Sequence, residues 1–194
     1  MRLFSVVLAM GALALPAHAQ SVWTDSQWRT GAWQVVQSAP GSESTHCLMG
    51  AEFDVPGHPN QTFGFVLNED DAYLLLRSDA WTTEKGTKYE DFGLTFYPSG
   101  DGFDGPATGL SNNGLSIKAD HSLAEDLSSS HRLVVSKGDG DDLVIVADFN
   151  LEGSARAISA VRRCLAATIE RERARIEREN RNRHITSNPF AKSN

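Results

Sequence analysis

The chain has 194 residues, 40% hydrophobic and 22% charged, with a formal net charge of −7. Those contents are ordinary for a globular domain, and the length suits one domain with a real core better than two. An acidic body argues against nucleic acid as a partner.

Residues 1–19, MRLFSVVLAMGALALPAHA, read as a signal peptide. Arg2 supplies the positive start, Leu3 to Leu15 the short apolar run, and Ala17-His18-Ala19 the small-x-small pattern for cleavage before Gln20. The apolar run is shorter than the ~20 residues a spanning helix needs, and no later segment approaches that length. The expectation is an exported protein, periplasmic or secreted, with no membrane span.

After an irregular lead-in at 20–30, "GAWQVVQS" (31–38) alternates as a strand and "SAPGSEST" (38–45) is a turn cluster. "HCLMGAEFD" (46–54) is a second strand, broken by the two prolines of "VPGHPN". "QTFGFVLN" (61–68) and "DAYLLLRS" (71–78) form a hairpin about Glu69-Asp70, and 87–98 is a further strand. "SGDGFDGPATGLSNNG" (99–114) reads as a long turn-rich connection, and 115–120 as a short strand. In "SLAEDLSSS" (122–130) the Ser122/Glu125 spacing predicts a capping box, and Leu123 and Leu127 share one helical face. "HRLVVSKGDGDDLVIVADFN" (131–150) is a hairpin about Gly138-Asp139-Gly140.

Ser154 then caps a helix with Ala157, Ile158, Val161, Leu165 and Ile169 on one stripe. Beyond Ile169 the apolar stripe fades into "ERERARIERENRNRHI", which Glu/Arg pairs carry as helix towards Asn188-Pro189. The expected organisation is a signal peptide (1–19), one β-rich domain that includes the first half of the helix (20–169), a charged helical extension (170–185) and a loose tail (186–194). The fold class is mainly β. An antiparallel sandwich or partly closed barrel of about seven to eight strands carries one short helix and a long C-terminal helix packed by its first half.

Two cysteines in an exported chain point to a structural disulfide between Cys47 and Cys164, which would pin the helix to the second strand. A reactive thiol is the weaker reading. His46 precedes Cys47, but neighbours in a strand face opposite ways.

Charge is unevenly spread. Residues 20–150 hold seven Lys and Arg against twenty Asp and Glu, a net of −13. Residues 151–194 hold ten against five, a net of +5. Either the acidic body neutralises a solvated helix, or Arg171, Arg173, Arg175, Arg178, Arg181 and Arg183 grip an acidic protein or envelope polymer. These arginines recur around the whole helix, unlike the single charged face of a membrane-lying helix.

Trp33 before Cys47, then Leu127–Leu133–Val135, a Gly-rich turn, a strand, and "LEGSARA" opening a helix form a recognisable order. It resembles the small exported alphaproteobacterial proteins related to the invasion-associated locus B family. The matching pieces, Trp33 to Cys47 and Leu127 to Cys164, cover about a third of the chain after the signal peptide. The resemblance implies an envelope protein without enzymatic activity and carries over no functional residue.

The residues suggest no catalytic group. There is no Gly-x-Ser-x-Gly elbow, and the histidines at 46, 58, 121, 131 and 184 are scattered, as surface or loop residues would be. No metal or cofactor is expected. Asp101 and Asp104 mark an acidic loop that could be presented to a basic hydrolase, which would make the chain a secreted inhibitor. The Asp side chains of 99–105 and 138–142 could also hold Ca²⁺, but neither loop matches the EF-hand pattern, and turn chemistry explains them more simply. Trp23 and Trp28 either fold back over the sheet or form a binding patch. The leading expectation is a non-enzymatic envelope protein acting through protein–protein contact. An inhibitor is the alternative, and an envelope hydrolase ranks below both.

Overall fold

The structure, a computed structural model, describes residues 21–22, 33–39, 41–42, 44–53 and 59–186, the side chains of 21–22 and 184–186 excepted. Trp23, Trp28, His58 and the tail from 187 lie outside the described residues. In chain order the elements are β1 (Ser21–Val22), β2 (Gln34–Gln37), β3 (His46–Phe53), β4 (Gln61–Asn68) and β5 (Ala72–Ser78). Then come β6 (Lys88–Tyr97), β7 (Gly102–Ser111), β8 (Gly114–Ala119), α1 (Leu123–Ser129), β9 (Arg132–Lys137), β10 (Val144–Asn150) and α2 (Ser154–Thr186).

All the strands belong to one antiparallel sheet in the order β1-β2-β3-β4-β5-β8-β7-β6-β9-β10. The sheet is not closed, and β1 and β10 are its edges. It does curl strongly. Phe149 on β10 meets Phe53 and Phe63, on β3 and β4, at ring-centroid distances of 5.2 and 5.4 Å. Trp33 joins this aromatic group edge-on and donates its indole N–H to the Glu152 carbonyl at 2.8 Å. Trp33 is buried in the core.

Register explains the core. Met49, Phe65, Leu74, Ile117 and Ala107 pair in succession across β3, β4, β5, β8 and β7, and all are fully buried. Period-2 alternation sends their side chains to the face on which α2 packs. The opposite face of β3, β4 and β5 holds a smaller cluster of Leu48, Val66 and Leu75. Apolar residues on both faces account for the unbroken "LLL" of β5.

β7 corrects the turn-rich connection expected at 99–114. It holds Gly102, Gly105, Pro106 and Gly109, a composition that reads as turn. Pro106 falls where the β6–β7 register shifts, between Tyr89 and Phe92, so no ladder bond needs its missing N–H. Asp91, at φ 62°, takes the positive angle at that irregularity.

Two helix starts also differ from expectation. Ser122 makes no side-chain cap to α1. Instead the Asp120 carboxylate accepts its backbone N–H at 2.7 Å and its hydroxyl at 2.5 Å. Ser154 begins α2, but its buried hydroxyl donates to the Leu127 carbonyl at 2.6 Å, tying α2 to the end of α1. His46 corrects the surface reading of the histidines. It is buried at the start of β3, with Nδ1 3.0 Å from the Ser44 carbonyl oxygen.

Ala157, Ile158, Val161 and Leu165 on α2 are buried, and Ile169 packs against the same core. Cys47 and Cys164 form the disulfide, with Cα atoms 6.1 Å apart and both residues fully buried. Past residue 169 the helix becomes exposed, and Ile176 is an exposed apolar side chain on it.

Candidate functional site

The disulfide sets where the charged half of α2 lies. Counting forward from Cys164 at helical spacing, Thr168, Arg171, Arg175 and Arg178 follow on the same face. Counting back from Cys47, the chain enters the β2–β3 turn, residues 38–45. One covalent link therefore aligns an arginine stripe with a turn rich in hydroxyls.

Hydrogen bonds tie together the described residues at the two ends of the turn. Ser38 donates its backbone N–H to the His46 carbonyl at 2.9 Å, and the Ser38 hydroxyl accepts the His46 N–H at 3.1 Å. The Ser42 hydroxyl donates to the Ala39 carbonyl at 2.6 Å. Gly41 takes φ 78°, a left-handed angle that glycine adopts without penalty.

Between turn and helix lies a cavity of about 190 Å³, lined by Ser38, Ser42, Thr45, Thr168 and the stripe Arg171, Glu172, Arg175 and Arg178 among others. Arg171 donates to the Gln37 side-chain oxygen at 2.5 Å and to the Thr168 hydroxyl at 3.2 Å. Arg175 bonds both Glu172 oxygens through Nε at 3.0 Å, and it also pairs with Glu179. The Arg175 hydrogen bond, helped by its charge and by the Gly41 N–H, holds the Glu172 carboxyl below the usual carboxylate range, although partial burial opposes this. The same bond from Glu172 raises Arg175, so both groups stay ionised. Arg178 has no ion-pair or hydrogen-bond partner among the described residues, and the Thr45 hydroxyl has none there either. Among the described residues, three guanidiniums against one carboxylate line the cavity and make it positive.

The other arginines go elsewhere. Arg173 faces the β4–β5 turn, 3.6 Å from Glu69. Arg181 and Arg183 are exposed further along the helix. The six arginines named from the sequence thus divide into a group of three at one cavity and three outside it. The hydroxyl residues were missed. Their signal was the density of Ser and Thr in "SAPGSEST", which gains meaning only once Cys47 is joined to Cys164.

The acidic residues take separate places. Asp101 sits in the turn between β6 and β7, and Asp104 lies within β7, opposite Gly93. The expected acidic loop is therefore a hairpin turn followed by a strand. Asp126 on α1 is pushed above the usual carboxylate range by burial first, then by the charges of Asp101, Asp120 and Glu125. That region is an acidic surface at the end of the sheet nearest α1.

Among the described residues no group of three or more His, Cys, Asp and Glu could hold a metal ion, and no helix is long and apolar enough to cross a membrane. No protein-family model matches the chain, and no curated protein and no solved structure matches it either.

Proposed function

We propose that this chain is a non-enzymatic protein of the cell envelope, exported to the periplasm or beyond, that acts by contact with another protein. Its docking element is the basic half of α2. The observation that carries this reading is the division of one helix into two uses. Its first half is buried and disulfide-linked to β3, and its second half continues outward with exposed arginines. Core packing and the disulfide hold the first half rigid, so the second is presented at a fixed angle at little entropic cost. The signal-like leader and the buried disulfide fit an oxidising compartment, and the resemblance of Leu127–Cys164 to envelope proteins points the same way.

The test is in-cell crosslinking of the full chain beside a variant carrying Arg173→Gln, Arg178→Gln and Arg181→Gln together. Partners captured by the parent and lost by the variant support docking through α2. Partners retained unchanged would overturn it and move attention to the acidic surface around Asp101 and Asp126, the surface an inhibitor would use.

A further inference from the structure

We infer that the cavity between the β2–β3 turn and α2 is a receptor for a carboxylate side chain of an acidic peptide segment on the partner protein, with Arg178 as its clamp. This rests on the docking role of α2 and names the chemistry of what docks there.

Size is the first argument. About 190 Å³ is below the ~300–1,000 Å³ of pockets that enclose small molecules and cofactors. It suits one inserted side chain. Donor geometry is the second. Arg171 and Arg178 both line the cavity, and Arg178 has no partner among the described residues. A planar guanidinium fork matches a planar carboxylate, bond for bond. The Thr45 hydroxyl, also without a partner among the described residues, lines the same space and can donate. Charge is the third. Glu172 belongs to the lining and is kept ionised by Arg175. The three lining guanidiniums outweigh that one carboxylate, so an inserted anion is attracted overall. Arg175, already occupied by Glu172 and Glu179, acts as a positioning residue that keeps Glu172 out of the clamp.

The test uses the full chain and a short blocked peptide carrying Glu-Asp-Glu, beside its Gln-Asn-Gln counterpart, with binding read by titration calorimetry. The acidic peptide should bind and the neutral one should not. Arg178→Gln should weaken binding by about tenfold, the scale of one charged hydrogen bond. Arg173→Gln, which removes the same charge outside the cavity, should change it by less than about twofold. Because Arg178 is exposed, the variant should melt with the parent. Equal weakening by both substitutions would overturn the cavity while leaving α2 as a general electrostatic docking surface. No binding of the acidic peptide, with in-cell capture still dependent on the arginines, would do the same. Displacement of the peptide by inorganic phosphate at comparable concentration would overturn the carboxylate assignment.

Discussion

At the scale of single residues, two features have consequences that can be measured directly. Cys47 and Cys164 close a sequence separation of 117 residues and are fully buried. A link of that span restricts the unfolded chain strongly, and losing such a bond from a small exported domain commonly costs about 2–5 kcal/mol. Replacing both with alanine should lower the denaturant midpoint accordingly, with the slope of the transition little changed. An unmoved midpoint would mean that packing of Ile158 and Val161 alone holds the helix. Asp126 makes a prediction of opposite character. Burial and the neighbouring Asp101, Asp120 and Glu125 raise its carboxyl, so the folded state keeps its proton to higher pH than the unfolded state does. The stability this group contributes is fully present below the unfolded value of about 4 and is lost as pH rises through the folded value. Asp126→Asn should therefore stabilise the protein slightly at neutral pH and leave it unchanged in mild acid. Thermal melts across that pH range read the difference, and a gain that persisted in acid would refute an electrostatic origin.

At the scale of elements, Gly109 shows why β7 was invisible in the sequence. A Cβ built there would lie 2.0 Å from the Glu84 carbonyl oxygen. The segment leading into β6 crosses close over β7, with Gly109 donating to Thr87 and accepting from Gly86, each at 2.8 Å. The strand needs glycine because another backbone occupies the side-chain space, yet glycine in a string usually marks a turn. Gly109→Ala should force that backbone apart and destabilise by more than about 2 kcal/mol, as overpacking against rigid neighbours does. Gly64→Ala, whose nearest atoms are side-chain carbons of Leu48 and Leu75 at 3.3 Å, should cost clearly less. Chemical denaturation of the two variants side by side settles the order. Strands whose alternation faces one core, such as β9 and β10, were legible, and so was the apolar stripe of α2. Long-range neighbours were not: β5 pairs with β8 instead of β6 because the chain after Ser78 crosses over before returning. The cavity was half legible. Its arginines stood out as charge, while its hydroxyls in the β2–β3 turn come near them only through the Cys47–Cys164 link.

At the scale of the whole molecule, α2 is one helix in two environments. Its 33 residues make a rod roughly 50 Å long at about 1.5 Å per residue. Ala157, Ile158, Val161, Cys164 and Leu165 belong to the single large core shared with nearly every strand. The exposed half is carried by pairs such as Arg175 with Glu172 and Glu179, which are worth only a few tenths of a kcal/mol each. Unfolding of the core and fraying of the outer helix should therefore separate. Ile158→Ala opens a cavity beneath the sheet and should cost about 2–4 kcal/mol, lowering the main thermal transition. Ala174→Pro breaks the helix where no core contact depends on it, because Ala174 is exposed and past the buried stripe. It should remove helical circular dichroism from the outer half while the main transition, followed by tryptophan fluorescence, stays within a few degrees. If the proline variant instead melted as early as Ile158→Ala, the outer half would be part of the cooperative unit. Arginine contacts to Gln37 and Glu69 would then be holding the β2–β3 and β4–β5 turns in place, in addition to presenting a surface to a partner.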